Sequence, residues 1–215
     1  AGLATRGSAG QAGTLGDSTT ADFGSLAFAG AAVTINEGSA MAIAASEATG
    51  ALSLTASGAI TQSGAIDADS TASFTAGGNA ITLANAANDF SAAVSLSNSG
   101  TNDVSLRDAN ALDLGVVGVG QDLTVTTGGA LTDSGNVTVA GLATIVSTGQ
   151  AVTLGDSTTA DFGSLDFAGA AVTINEGSAM AIAASDAAGA LGLEASGAVT
   201  QGAALEAEAT PVLPP

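Results

Sequence analysis

The feature that most constrains this chain is a long internal repeat. Residues 1–66 return as residues 140–205 with a constant offset of 139 positions, and within them residues 28–46 are identical in every letter to residues 167–185. Self-similarity at a fixed offset is typical of repeat architectures, in which each unit buries its apolar face against its neighbours. The repeat therefore predicts a stacked array rather than a globular domain with one central core.

A shorter period lies within the long one. Short runs in which apolar side chains alternate with small or polar ones recur every 18 to 20 residues, and a second set lies about half a step away. Alternation with a period of two is the pattern of β-strands. Clusters of glycine, serine, asparagine and aspartate separate the runs and supply the tight corners that a coiled chain requires.

These patterns predict an all-β fold, a single right-handed parallel β-helix (β-solenoid) of about 11 turns, each of 18–20 residues. Seven turns of roughly 20 residues reproduce the offset of 139. Stacked at about 4.8 Å, the turns form a rod about 50 Å long. The right hand follows the general bias of parallel crossover connections. We assign residues 1–206 to the solenoid and the proline-rich residues 207–215 to a C-terminal tail.

Composition excludes some classes of partner. The chain has 20 acidic residues against two basic ones, Arg6 and Arg107, and a formal net charge of -18. Because no basic patch can neutralise phosphates, we expect no nucleic-acid partner, and an anionic membrane surface is disfavoured for the same reason. No apolar run approaches the roughly 18 residues of a membrane span, so we expect no membrane insertion. We interpret the acids, including Glu37, Asp133 and Glu176, as a solvated surface with turn residues that keeps the rod soluble.

The residues available for catalysis are few. The chain has no His, Cys, Lys or Tyr, so the usual general bases and nucleophile activators are missing, which leaves carboxylates, hydroxyls and two arginines. We therefore predict a protein that is not an enzyme and has no cofactor. A β-helix that cleaves polysaccharides with carboxylates is an alternative, and its candidate pairs are Asp67 with Asp69 and Glu206 with Glu208.

Calcium is the one metal that the acidic turns suggest, since it prefers oxygen ligands. The candidate ligands are Asp17 and Asp22 with their copies Asp156 and Asp161. The repeated nonapeptide of calcium-binding β-rolls, rich in glycine and aspartate, is missing. Calcium binding is therefore an alternative to a metal-free structural role.

Both ends of the chain depart from the repeat. Arg6 and Gly7 stand where the second copy has Ile145 and Val146. At the other end, prolines that cannot donate ladder hydrogen bonds interrupt the pattern, in the segment Pro211, Val212, Leu213, Pro214 and Pro215. One interpretation is that both ends are caps that protect open sheet edges. The other is that these residues form an assembly interface, because a rod with unlike ends makes head-to-tail contacts that build a filament.

The alternating runs AVTI, DLTVT and DVSLRDANALDL, with GGALTDSGNVTVAG between them, resemble the repeat regions of large filamentous-haemagglutinin-like exoproteins and other bacterial β-solenoid surface adhesins. The resemblance covers nearly the whole chain. It implies a right-handed solenoid, export to the extracellular bacterial cell surface, and a role as a stalk or fibre in attachment to a host or neighbouring cell. We predict a fibre subunit or stalk segment that forms a head-to-tail homopolymer; the alternative is a calcium-binding or a carbohydrate-binding or carbohydrate-cleaving β-helix.

Overall fold

The computed structural model describes residues 3–8, 10–16, 21–156 and 159–208. Over these ranges the chain forms 26 strands and no helix. None of the described residues therefore belongs to a helix that could cross a membrane. The strands join one continuous sheet in which neighbours run parallel, as β1 does with β3 and β4 with β7.

In chain order the strands are β1 (Leu3–Ser8), β2 (Gly13–Leu15), β3 (Ser25–Gly30), β4 (Val33–Glu37), β5 (Met41–Ile43), β6 (Ser46–Ala48), β7 (Leu52–Ala56), β8 (Ile60–Gln62), β9 (Ile66–Ala68), β10 (Ala72–Gly77), β11 (Ile81–Leu83), β12 (Asp89–Phe90), β13 (Val94–Asn98), β14 (Val104–Asp108), β15 (Leu112–Val119), β16 (Leu123–Thr127), β17 (Leu131–Asp133), β18 (Val137–Ser147), β19 (Val152–Leu154), β20 (Ala160–Gly169), β21 (Val172–Glu176), β22 (Met180–Ile182), β23 (Ser185–Ala187), β24 (Leu191–Ala195), β25 (Val199–Gln201) and β26 (Leu205–Ala207).

Strands that follow each other in the chain belong to different ladders, so the chain winds as a coil. The first ladder runs through β1, β3, β5, β8, β11, β14, β16, β18, β20, β22 and β25. The second runs through β2, β4, β7, β10, β13, β15, β17, β19, β21 and β24. The predicted all-β parallel solenoid is confirmed.

The solenoid has about 10 turns rather than 11, because several turns are longer than the 18–20 residues that the sequence pattern predicts. Paired residues are separated by as few as 16 positions, for Ala160 with Glu176, and by as many as 23, for Ile81 with Val104. Of the predicted tail, residues 209–215 lie outside the described residues.

The core is a set of apolar columns that run along the rod. Val33 lies beside Leu52, Leu52 beside Ala72 and Ala72 beside Val94, and all four are at most 2% exposed. Each inward side chain is therefore covered by the turns before and after it, and each turn shields the next from water. The small side chains suit a narrow core enclosed by the ladders, which include a shorter one through β6, β9 and β12.

The pairing also contains a repeat of half the length of the long one, which the sequence analysis missed. Equivalent parallel pairs are Val33 with Leu52, Val104 with Leu123 and Val172 with Leu191, so the unit recurs at an offset of 71 positions and then of 68. β4 belongs to the second ladder, β14 to the first and β21 to the second again. Each unit therefore spans about three and a half turns, and successive units begin in alternate ladders.

Glycine allows some corners of the coil to stack closely. A Cβ added to Gly128 would collide with the carbonyl oxygen of Ala109 in the preceding turn. The backbone N–H of Gly128 also donates a 3.0 Å hydrogen bond to the carbonyl of Asp108. A side chain at this corner would therefore push apart two turns that the ladder holds together.

Candidate functional site

Three buried carboxylates recur once per unit in the interior of the rod. Glu37, Asp108 and Glu176 are 2%, 1% and 1% exposed. Each accepts a hydrogen bond from a phenylalanine backbone N–H, and we call these contacts the acid–phenylalanine pairs: Phe23 with Glu37 (3.2 Å), Phe90 with Asp108 (3.2 Å) and Phe162 with Glu176 (3.1 Å). A buried carboxylate that accepts from backbone N–H groups satisfies donors that would otherwise be unpaired.

The interpretation of Glu37, Asp133 and Glu176 as solvated acids is therefore wrong. Asp133 is 6% exposed and accepts a 2.9 Å hydrogen bond from the N–H of Gly155. These three carboxylates join turns from within instead of facing water. The backbone N–H groups available at the corners are the physical reason that acids are tolerated there.

Burial also changes how two of these acids titrate. Burial raises the pKa of Glu176 above its ordinary value of 4.5, hydrogen bonds from Phe162 and Ser178 lower it, and the charge of Asp161 raises it. Burial likewise raises the pKa of Asp108 above 3.8, against hydrogen bonds from the backbone of Asn110 and Phe90. In both cases the cost of burying a charge outweighs the hydrogen bonds.

The structure brings two of the predicted calcium ligands next to the acid–phenylalanine pairs. In each copy of the repeat, a serine hydroxyl joins an exposed aspartate to the buried glutamate. The two sets are Asp22, Ser39 and Glu37, with distances of 3.1 and 3.2 Å from the hydroxyl, and Asp161, Ser178 and Glu176, with distances of 2.8 and 3.3 Å. Sequence reasoning found the aspartates but missed the glutamates and serines.

These sets supply fewer oxygen atoms than calcium takes, which is six to eight. Within the described ranges, no group of three or more His, Cys, Asp or Glu side chains is placed to hold a metal ion. Of the other candidates, Asp156 lies exposed in the bend after β19, and Asp17 lies outside the described residues. Calcium binding stays a prediction.

The candidate catalytic carboxylates lie on the outer face of the coil. Asp67 and Asp69 are both exposed, and Asp67 lies in register with Glu47 of one neighbouring turn and Asp89 of the other. Partial burial, followed by the charges of Asp69 and Asp89, raises the pKa of Asp67 above 3.8. The result is a row of acids along the rod, with mutual repulsion as its main electrostatic property.

The second candidate pair, Glu206 and Glu208, is also exposed. Glu206 lies in register with Asp186, and together with Asp166 they line a depression of about 260 Å³. Burial raises the pKa of Asp166 above 3.8. The depression is smaller than the roughly 300 to 1,000 Å³ of typical ligand pockets.

The predicted assembly residues are only partly described. Arg6 lies in β1 opposite Phe28, and its Nε is buried without a hydrogen-bond partner among the described residues. A Cβ on Gly13 would collide with the guanidinium group, so the Arg6 side chain crosses the first turn above Gly13. Arg6, Gly7 and Phe23 help to line a depression of about 420 Å³ at this end. Pro211, Val212, Leu213, Pro214 and Pro215 lie outside the described residues.

Asn88 is a structural residue that sequence reasoning did not single out. It is 0% exposed, and its Nδ2 lies 3.1 Å from the carbonyl oxygens of both Leu83 and Arg107. Its Oδ1 accepts from the N–H of Ile66 at 3.0 Å and from Gln62 Nε2 at 2.8 Å. The available signal was a long spacing of 23 positions between paired residues, Ile81 with Val104, because extra backbone in a buried corner needs a polar partner.

Comparison with known proteins gives one family, whose model matches residues 29–97, 101–166 and 169–213. The starts of these matches, at residues 29, 101 and 169, have offsets of 72 and 68 positions, close to the unit seen in the strand register. No curated protein and no solved structure matches the chain. The chain belongs to the family described as repeats of unknown function, DUF5649.

Proposed function

We propose that this chain is a non-enzymatic structural protein of the bacterial cell surface, a fibre subunit or stalk segment of an extracellular adhesin that assembles head to tail. The observation that carries the proposal is the unbroken stacking of parallel ladders from β1 to β25 and from β2 to β24. Such a rod holds its length because every turn is hydrogen bonded to the next. A rigid spacer between a cell and its target needs this property.

The distribution of acidic residues supports a structural role over a catalytic one. The buried acids Glu37, Asp108 and Glu176 are occupied with backbone N–H groups. The exposed acid Asp67 lies between acids of the neighbouring turns. With a formal charge of -18, rods repel one another sideways and are left to join at their ends.

The resemblance to filamentous-haemagglutinin-like exoproteins supports the surface location and the role in attachment. The partner of the rod is then a second copy at its end, and a host or neighbouring cell at the tip of the fibre.

A second candidate function is calcium binding, which the repeated aspartate–serine–glutamate sets favour. Isothermal titration calorimetry of the chain with CaCl₂ tests it. Binding that the variant Asp22→Asn with Asp161→Asn reduces supports calcium sites at these positions, and no heat above dilution contradicts them.

Electron microscopy of the purified chain at neutral pH, in calcium and again in a chelator, tests the proposed function. Filaments that repeat at about 50 Å are the expected result for a fibre subunit, and rods of that length without filaments are expected for a stalk segment. Compact particles that are not rods, or release of sugars from polysaccharide substrates, would contradict a structural role.

A further inference from the structure

In the part of the chain that the structure describes, the N-terminal turn is paired on one side only and corresponds to a turn in the interior. Among the described residues, β1 pairs only with β3, and β2 only with β4. Inward side chains of this turn are partly exposed, whereas their copies 139 positions later are covered. The exposed ones are Ala4, Leu15 and Phe23, and the copies are Ala143 (0%), Leu154 (0%) and Phe162 (3%).

The C-terminal turn is uncovered in the same way. Within the part of the chain that the structure describes, β24, β25 and β26 each pair on one edge, with β21, β22 and β23. Val199 is 54% exposed, and Leu191, Leu193 and Leu205 are partly exposed. The corresponding interior residues 68 positions earlier are at most 2% exposed: Leu123, Val125, Leu131 and Val137.

These two turns correspond to two turns that are neighbours inside the rod. β24 corresponds to β16, 68 positions earlier, and β1 corresponds to β18, 139 positions later. β16 pairs directly with β18, through Leu123 with Ala143, Thr124 with Thr144 and Val125 with Ile145. If β24 of one copy pairs with β1 of another in this register, Leu191 lies opposite Ala4, Gly192 opposite Thr5 and Leu193 opposite Arg6.

The same correspondence holds around the rest of the turn. β17 pairs with β19 through Leu131 and Val152, which places Val199 opposite Gly13. β18 pairs with β20 through Val137 and Ala160, which places Leu205 opposite Ala21. Three strands at the C-terminal end therefore match β1, β2 and the bridge residue Ala21 at the N-terminal end in one register.

Arg6 and Gly13 are the inward positions where the match is imperfect. They stand where the interior copy has Ile145 and Val152, both 0% exposed. The guanidinium fills the space above Gly13 that a larger side chain would occupy. A turn stacked over it would bury the guanidinium opposite Leu193. Its Nε has no hydrogen-bond partner among the described residues, and burying a charged group with an unpaired N–H opposes association.

We propose that the C-terminal edge, β24 to β26, binds the N-terminal edge, β1 to β2 with residues 21–23, of a second copy of this chain in the interior register, and that Arg6 weakens this junction. The inference rests on the proposed function and specifies its contact. Burial of the apolar residues at both edges and completion of the ladder hydrogen bonds favour the junction. Arg6 opposes it, so that assembly is reversible.

Engineered disulfides test the register, since the chain has no cysteine of its own. The full chain carries Thr5→Cys with Gly192→Cys, two exposed positions at opposite ends of the rod; a Cβ on Gly192 meets only Thr173 Oγ1, at 3.9 Å. In the proposed junction their Cα atoms lie about 4.8 Å apart, within disulfide range. The control, Thr5→Cys with Glu194→Cys, puts them about 8 Å apart, beyond that range.

Under mild oxidation the first pair should give a ladder of head-to-tail oligomers on a non-reducing gel, and the control at least tenfold less. Equal cross-linking of the two pairs would overturn the register. Cross-links from neither pair would mean that something other than a second copy covers the ends, and would also overturn the proposal. Filaments seen by electron microscopy without in-register cross-links would contradict this inference but not the proposed fibre function.

The role of Arg6 is tested by adding Arg6→Ile with Gly13→Val to the first cysteine pair, which restores the interior residues. Half-maximal cross-linking should then need at least tenfold less protein. Circular dichroism checks that the variant keeps its β structure. An unchanged or higher protein requirement would show that Arg6 does not weaken the junction.

Discussion

The two copies of one sequence have different surroundings in this rod. Residues 14–26 and 153–165 are identical, yet Leu15 and Phe23 near the N-terminal end are partly exposed, while Leu154 and Phe162 in the interior are 0% and 3% exposed. The difference lies in the neighbouring turns and not in the residues. A turn in a solenoid contributes half of a core and obtains the other half from its neighbours.

The C-terminal end repeats the comparison. Leu52 and Leu54 are 2% and 0% exposed, whereas the corresponding Leu191 and Leu193 are partly exposed because no described strand covers β24. Stability should therefore rise from the ends towards the middle, with local opening concentrated in the terminal turns.

The largest effect on stability is expected when the same substitution is made in each copy separately. Phe162→Ala should reduce the free energy of unfolding by about 3–5 kcal/mol, because it empties a covered position. Phe23→Ala should cost roughly half of that or less, since part of that ring already faces water. Urea unfolding followed by circular dichroism measures both. Equal losses would contradict the view that neighbouring turns set the value of a side chain.

A smaller loss of stability is expected when the buried amide of Asn88 is removed from an interior turn. Asn88→Ala should cost about 2–3 kcal/mol, because several buried partners lose their hydrogen bonds. Asn85→Ala is the matched control; its side chain accepts from the N–H of Ala87 at 3.0 Å nearer the surface, and it should cost less than about 1 kcal/mol. Urea unfolding again gives the comparison. Similar values for the two variants would mean that the buried amide is not what secures the long turn.

The smallest effect concerns pH. Because burial raises the pKa of Glu176 above 4.5, the folded state binds this proton more tightly than the unfolded state. The resulting stabilisation is present below about pH 4.5 and is lost as the pH rises through the folded-state pKa. Glu176→Gln should flatten this part of the decline in melting temperature between about pH 4.5 and neutrality.

Glu194→Gln, which removes an exposed acid from β24, controls for net charge and should keep the decline of the original chain. If Glu176→Gln and Glu194→Gln gave the same pH profile, the buried carboxyl would have no special part in it.

The fold followed from the sequence because strand alternation and the constant offset between the two copies act together. The burial of Glu37 could also have been predicted from the strand alternation. In VTINE, Val33 and Ile35 point inward, and the next step of two reaches Glu37. The sequence analysis instead applied the general rule that acidic side chains face water. The rule fails here because the corner offers backbone N–H groups that only an inward acceptor can reach.

Other features are visible only in the folded chain. Near-identity between the two long copies hides the weaker likeness between successive half-length units, which became visible only as a repeated register of paired residues. The space shared by Arg6 and Gly13 is likewise a matter of geometry, because two substitutions seven positions apart form one contact only when the chain coils. Sequence analysis identified the departure at Arg6 and Gly7 but not what the arginine fills.

The half-turn in each unit determines how the rod presents itself to its surroundings. Asp22, Asp89 and Asp161 are an example of a group that occurs once per unit. Because each unit adds a half-turn, successive members lie on opposite flanks of the rod. They are about 17 Å apart along the axis, so members on the same flank are about 34 Å apart. The rod therefore presents the same group on two flanks, and a substitution in one unit alters a single flank.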